Sequence, residues 1–236
     1  MKRTRIYIVL FFLTNLICCI DSVAYGQDTA AYLSLSNIVS DAQLLINGRI
    51  WRNLYGKAVG HPYFLSPYFL TGTLSFNGRK FESLPLKYDI LNDELLLGLP
   101  FWPVIILNKE LVDSFTLRYN DRTFHIINAG SDSASIIRGY ISVLYDGHSA
   151  LYVKYIKELL PMAVDRKYDL IAEKHKIYFR KDTAVFQIPG KRGLLKLLED
   201  KKMEIKEFVW RNKIQMERRD PYSFLPVIKF YDSLQR

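Results

Sequence analysis

Few residues of this chain are of types that do chemistry, and their spacing keeps them apart. The four histidines, His61, His125, His148 and His175, stand alone. None has a second ligand type at the short spacing of a metal site, so a metal centre would have to be assembled wholly by the fold. His61, between Gly60 and Pro62, is the most suggestive of the four. His148, in Asp146-Gly147-His148-Ser149, reads as a solvated turn residue. No His-Glu-x-x-His helix, Gly-x-Ser-x-Gly elbow or phosphate-binding glycine loop occurs. Gly190-Lys191-Arg192-Gly193 lacks the glycine spacing and the following Ser or Thr of such a loop, and reads as a basic turn that begins a helix. Glycoside hydrolysis needs two acids close in space, not in sequence. Asp89, Asp93 and Glu94 are the nearest set, and their setting reads as a polar strand face followed by a turn. No catalytic, cofactor-binding or metal-binding residue is therefore assigned, and no cofactor is expected.

Aromatic side chains are the other candidates for contact chemistry. Trp51, Tyr55, Tyr63 and Tyr68 fall in or beside a loop, 53–69, that also carries Gly56, Gly60, Pro62 and Pro67. That density of glycine and proline forbids a helix. Exposed, such rings would stack on a sugar or a peptide; buried, they are core. The net charge of +9 is spread among interleaved acids with no basic stripe, so nucleic-acid binding is not expected.

The elements that must position these residues are mostly strands. With 49% hydrophobic residues, 16 Tyr and 14 Phe, the chain can fill a sheet-based core. Leu70, Gly72, Leu74 and Phe76 alternate with polar residues before Asn77-Gly78; Leu84, Leu86, Tyr88 and Ile90 alternate after it. Strict alternation predicts strands with one buried face, and Asn-Gly predicts a type I′ hairpin turn. Asn47-Gly48, Asn120-Asp121 and Asp146-Gly147 mark further turns, and Lys181-Asp182 a last short hairpin between 178–180 and 184–188. Glu94 to Leu107 reads as two buried strand pieces around a Pro100-Phe101-Trp102-Pro103 bend, too short and too broken to span a membrane. From Lys191 the period turns helical, with Leu194, Leu197 and Leu198, then Ile205, Phe208 and Val209, on shared faces and Lys202 and Lys206 set against acids. Asp220-Pro221 signals the start of a final helix, with a delay of its true start to Pro226 as the alternative. The expected fold is mainly β (α+β): an antiparallel meander or sandwich of hairpins over 44–188, closed by two or three helices in 189–236.

The N-terminus bears on compartment. Lys2, Arg3 and Arg5 precede an apolar run, Ile6 to Ile20, and Ala24-Tyr25-Gly26 offers small residues ahead of Gln27. That order predicts a secretory signal peptide over 1–26, followed by a polar arm over 27–43. Cys18 and Cys19 both lie in the leader, so a chain beginning at Gln27 has neither thiol nor disulfide. Lipidation at Cys19 is the lesser alternative, since Leu16 suits a lipobox but Ile17 and Cys18 do not.

Gly48 to Trp51, Pro67-Tyr68, Leu86-Lys87-Tyr88-Asp89-Ile90, Val143 to Gly147, Leu151 to Lys154 and the closing Phe230-Tyr231-Asp232-Ser233-Leu234 together carry a resemblance. The chain resembles a group of exported, uncharacterised proteins typical of Bacteroidota. The resemblance implies a Gram-negative envelope, the periplasm or outer surface, and brings no catalytic residues with it. The expected function is a non-catalytic binding or scaffold protein for a protein or glycan of the envelope. The alternative is a hydrolase acting on envelope polymers through spatially assembled carboxylates or histidines. Membrane-surface contact through the basic C-terminal helices is a further expectation.

Overall fold

The structure, a computed structural model, describes residue 43, residues 45–130, residue 132 and residues 135–235. The expected leader and all but the last residue of the polar arm lie outside the described residues. The chain falls into two compact units, 1–47 and 48–236, and the second holds the sheet and the helices that cover it.

Eleven strands make one antiparallel sheet. In chain order they are β1 (Arg49–Ile50), β2 (Leu70–Phe76), β3 (Arg79–Asp89), β4 (Glu94–Leu97), β5 (Ile105–Ile106) and β6 (Val112–Tyr119). After these come β7 (Arg122–Asn128), β8 (Tyr140–Asp146), β9 (Ala150–Val164), β10 (Tyr168–Lys181) and β11 (Ala184–Ile188). Across the sheet the order is β1-β5-β4-β3-β2-β6-β7-β8-β9-β10-β11. Hairpins therefore run outward in both directions from the β2–β6 pair. The architecture is the expected mainly-β meander with C-terminal helices, built as one sheet.

Local chemistry explains the pairing. At the β2–β3 turn, Asn77 and Gly78 have φ of 51° and 74°, the two left-handed residues that a I′ turn requires, and Phe76 pairs with Arg79 across it. Asn120 and Asp121 repeat the device between β6 and β7, with φ of 47° and 58°. Paired residues share a face. Leu74, Phe115 and Ile126 are joined in this way across β2, β6 and β7, and all three are buried.

The sheet curls back on itself. Strand β9 lies five steps from β3, about 24 Å in a flat sheet at the usual strand spacing. Yet the Lys157 N–H of β9 donates to the carbonyl of Ile90, just past β3, at 3.1 Å. Strand β8 begins at Tyr140, and past that point the side of β9 that β8 had occupied meets the end of β3. The 53–69 segment completes the seam: Tyr63 bridges to Asp89 and Val59 to Leu170 on β10. The ring of Phe64 lies 6.1 Å from that of Tyr88, 5.5 Å from Phe124 and 4.6 Å from Tyr155, residues of β3, β7 and β9. One ring can touch three such distant strands only from within a concave face.

Three helices cover the other part of that face: α1 (Lys191–Leu197), α2 (Lys202–Arg211) and α3 (Leu225–Ser233). Leu194, Leu198, Ile205, Phe224, Val227 and Ile228 bury against Leu151, Ile177 and Phe179 of β9 and β10. Phe208 and Phe230 stack at 4.0 Å between α2 and α3. The Asp220 carboxylate caps the turn at Pro221 by accepting from the Tyr222 N–H, as the Asp-Pro pair predicts. Helix α2 ends in a Schellman turn, with the Lys213 N–H bonded to the Trp210 carbonyl and the Ile214 N–H to Val209. Its left-handed residue is Lys213, φ 51°, where glycine is usual.

Strands β9 and β10 run well past the segments legible in sequence, which end at Ile156 and begin at Tyr178. Their far halves, Leu159 to Ile171, are largely exposed. With no buried face there is no alternation to read, and Pro161 further obscures the strand.

Candidate functional site

Two regions gather the residues singled out by type: a polar junction at the seam, and an exposed aromatic tip beyond it. The junction forms where the end of β3, the start of β8 and the middle of β9 meet. Asp93, in the β3–β4 turn with φ 58°, sits at its centre. Its carboxylate accepts from the Tyr88 hydroxyl at 2.6 Å, Lys109 Nζ at 2.5 Å and Lys154 Nζ at 2.7 Å. Lys154 Nζ also donates to the Tyr140 carbonyl at 2.8 Å, and Lys109 lies over the Tyr140 ring at 4.9 Å. Gly139 packs so closely on Asp93, at φ 68°, that any Cβ would strike the carboxylate. Burial by itself would raise the Asp93 pKa; the Lys154 and Lys109 ammonium groups and the Tyr88 hydroxyl outweigh it and hold the carboxyl below its ordinary range. Burial depresses Lys154 in turn, against the pull of Asp93. Two ammonium groups thus share one carboxylate. Among the described residues, the Tyr140 hydroxyl is the one buried side-chain polar atom without a hydrogen-bond partner.

A second clamp closes the seam beside it. Lys157, with its side chain 8% exposed, donates to the carbonyls of His61 at 2.8 Å and Tyr63 at 2.7 Å. Its ammonium also lies 3.3 Å from His61 Nδ1 and 3.6 Å from Glu173. Burial, then the Lys157 charge, lowers the His61 pKa. His61 stacks on Tyr63, and Lys87 sits over the rings of both Tyr63 and Phe69 at 4.4 and 4.2 Å. The loop is thus pinned from β3 and β9 together.

The acids named from sequence have separate tasks. Asp89 is buried, not on a polar face, because its carboxylate accepts the N–H groups of Leu91 and Asn92 and the Asn92 amide, and so builds the β3–β4 turn. Glu94 pairs with Arg49 at 2.6 Å, and Asp93 is held by its two lysines. His125 and His148 are exposed, and His175 Nε2 meets the Arg218 carbonyl at 2.8 Å. Among the described residues, no group of three or more His, Cys, Asp or Glu is placed to hold a metal ion. His148, Ser149 and Asp232 come together at one turn, but Ser149 is buried and its hydroxyl donates to Asp232 at 2.6 Å. Asp232 also accepts from Tyr145 Oη at 2.9 Å, clamping α3 to the β8–β9 turn. Sequence reasoning missed Lys109, Lys154 and Lys157. The only signal for Lys154 and Lys157 is lysine after apolar strand residues, as in Leu151-Tyr152-Val153-Lys154; Lys109, between Asn108 and Glu110, carries none.

The aromatic candidates divide. Tyr63 is core, Trp51 and Tyr55 are half-buried, and Tyr68 is 77% exposed. The Tyr55 hydroxyl donates to Asn92 at 3.1 Å. The most exposed ring, Phe101, lies in the β4–β5 bend beside a second exposed one. Phe101 is wholly exposed, Trp102 is 58% exposed, and Pro100 and Pro103 bracket them. Phe101 has φ 65°, a left-handed conformation that a bulky residue adopts at a cost of about 1–2 kcal/mol. The base of this tip is firm: the Gly98 N–H bonds Pro85, Gly98 packs against the Phe69 ring, and the Trp51 N–H bonds Val104. Tyr68 adjoins Phe69, and Ile50, 62% exposed, pairs with Ile105 at the foot of the tip. A rigid base that presents unpacked aromatic rings is suited to holding a partner surface.

Compared with known protein families, with curated proteins and with solved structures, the chain matches none.

Proposed function

We propose that this chain is an exported protein of the cell envelope that binds or scaffolds a protein or glycan partner through the Phe101–Trp102 tip. The observation that carries the reading is the tip itself: two large aromatic rings left in solvent, one in a strained left-handed conformation, on a loop braced by two prolines and a packed base. Strain of this kind persists only where the surrounding structure enforces it, and it concentrates at functional sites. Aromatic side chains bring large, stiff contact area at small entropic cost, whether the partner is a peptide or the apolar face of a sugar ring. The basic n-region, the apolar run and Ala24-Tyr25-Gly26 support export, as does the resemblance to exported Bacteroidota proteins.

The hydrolase reading has less behind it. A retaining or inverting pair needs one carboxyl that stays protonated and one that stays free. Asp93 is instead held ionised by two lysines, Asp89 is consumed by its turn, and Glu94 pairs with Arg49.

Cell fractionation with N-terminal sequencing tests the compartment. The expected result is a periplasmic or envelope-associated chain that begins at Gln27; a cytoplasmic chain that begins at Met1 would overturn export. Pull-down and thermal-shift screens against envelope extracts test the binding, with Phe101→Ala/Trp102→Ala as the control. A ligand that raises the melting temperature of the native protein and leaves the double variant unmoved is expected. No ligand, or equal response from both, would count against the tip.

A further inference from the structure

The two sides of α2 are not alike. On one side Glu204 and Glu207 flank Phe208 and Arg211, and Glu207 pairs with Arg211 at 2.6 Å. On the other, between α2 and α1, lies a groove of about 820 Å³. Its floor is Leu195, Val209 and Ile214, its rim carries Lys191, Lys206, Trp210 and Lys213, and Arg211, held by Glu207, reaches its edge; no acid lines it. Lys202 pairs with Glu199 as helical spacing predicts. The same spacing sets Lys206 against an acid, but among the described residues no acid pairs with Lys191, Lys206 or Lys213. Met203, Lys206 and Trp210 succeed one another at intervals of three and four residues, so they share one stripe along α2, and Lys213, in the turn beyond it, lines the same groove. Met203 is 76% and Trp210 79% exposed.

We infer that this stripe and groove dock on the surface of an anionic phospholipid membrane. The complementarity is of two kinds. Unpaired ammonium groups on α1, on α2 and in the turn after it meet lipid phosphates and the negative surface potential, while Trp and Met enter at the depth of the headgroups. Tryptophan favours that depth because its ring is apolar and its N–H is wet. The apolar floor gives the inner end of a displaced acyl chain somewhere to lie. Helix α2 cannot itself submerge, since its opposite face, through Ile205, is buried in the core. Contact is therefore peripheral and dominated by charge. Among the described residues no helix is long and apolar enough to cross a membrane. This face is separate from the Phe101–Trp102 tip, and its test needs neither export nor a partner.

The experiment is co-sedimentation of the purified protein with vesicles of phosphatidylcholine alone or mixed with phosphatidylglycerol. Binding to the mixed vesicles only, weakening as salt is raised, is expected. Each lysine near an anionic surface contributes about fivefold in affinity, so Lys206→Gln/Lys213→Gln should bind about 25-fold more weakly. Both side chains are on the surface, and an unchanged melting temperature for the variant shows that the fold is kept. Equal binding to both vesicle types, or no loss in the double variant, would overturn the inference. So would groove-dependent self-association in sedimentation velocity, or saturable uptake of monomeric laurate without vesicle binding.

Discussion

The seam junction and the β4–β5 tip stand at opposite ends of a four-residue strand, and they spend their side chains in opposite ways. At the junction, charged groups are taken out of water and matched: Asp93 answers Lys109 and Lys154, and Lys157 answers two carbonyls and Glu173. At the tip, Phe101 stays wholly in water and Trp102 more than half so. The first arrangement closes a curled sheet; the second leaves surface for something else.

Substitutions can break this contrast from either end. The largest effect is expected for Asp93→Asn, which leaves two ammonium groups at the junction without a counter-charge. A loss of about 3 kcal/mol in urea unfolding is expected, the range for breaking a mostly buried ion pair. Its pH dependence supplies the sign. Because the folded pKa of Asp93 is depressed, the stabilisation is fully present above the unfolded carboxylate pKa and disappears as pH falls through the lower folded value. The native protein and the variant should therefore converge in acid. An unchanged gap at all pH values would mean that the Asp93 charge does not hold the junction.

Next in size is Lys157→Met. It strips a charged donor from the His61 and Tyr63 carbonyls, at a cost of about 2 kcal/mol. Hydrogen exchange should quicken most at Phe64 and Ile90, whose N–H groups bond across this seam. Tyr140→Phe removes the unpartnered hydroxyl and should raise stability by about 1 kcal/mol, since a buried polar group without a hydrogen bond costs that much. A fall in its melting temperature would reveal a partner for that hydroxyl. Smallest is the effect of Phe101→Ala/Trp102→Ala on folding, within about 0.5 kcal/mol of the native protein, because Phe101 is wholly and Trp102 mostly exposed. That near-silence in stability, joined to a loss of binding, is what separates the tip from the junction.

Much of the sheet is legible in the sequence because its signals are local. Asn77-Gly78 and Asn120-Asp121 specify their turns through their own φ angles, and Leu74, Phe76, Phe115 and Leu117 reveal the buried face by alternation. Asp220-Pro221 likewise marks the capped 3₁₀ turn Pro221–Phe224, and Pro226 the first turn of the last helix, which begins at Leu225. The seam is not legible, because it joins Ile90 to Lys157 and His61 to Lys157 over long stretches of chain, and no local pattern encodes curl. Lys154 looks like a solvated strand residue for the same reason, and Lys157 falls past the end of the strand that the sequence shows. Asp89 reads as exposed and is not, because its burial comes from an Asx turn at Leu91 and Asn92, a local hydrogen-bond pattern that overrides strand alternation. Phe101 and Trp102 stand out as a bend, but whether such rings are packed or bare depends on neighbours that sequence does not supply.

The most direct test of the tip's role places a photo-crosslinking amino acid at Trp102 in the producing cells, with a second copy of the experiment at exposed Lys80 on β3 as a control. The expected result is a discrete adduct from position 102, absent from position 80 and lost when Phe101→Ala is added. No adduct at position 102, or the same products from both positions, would contradict the assignment of the tip as a binding element.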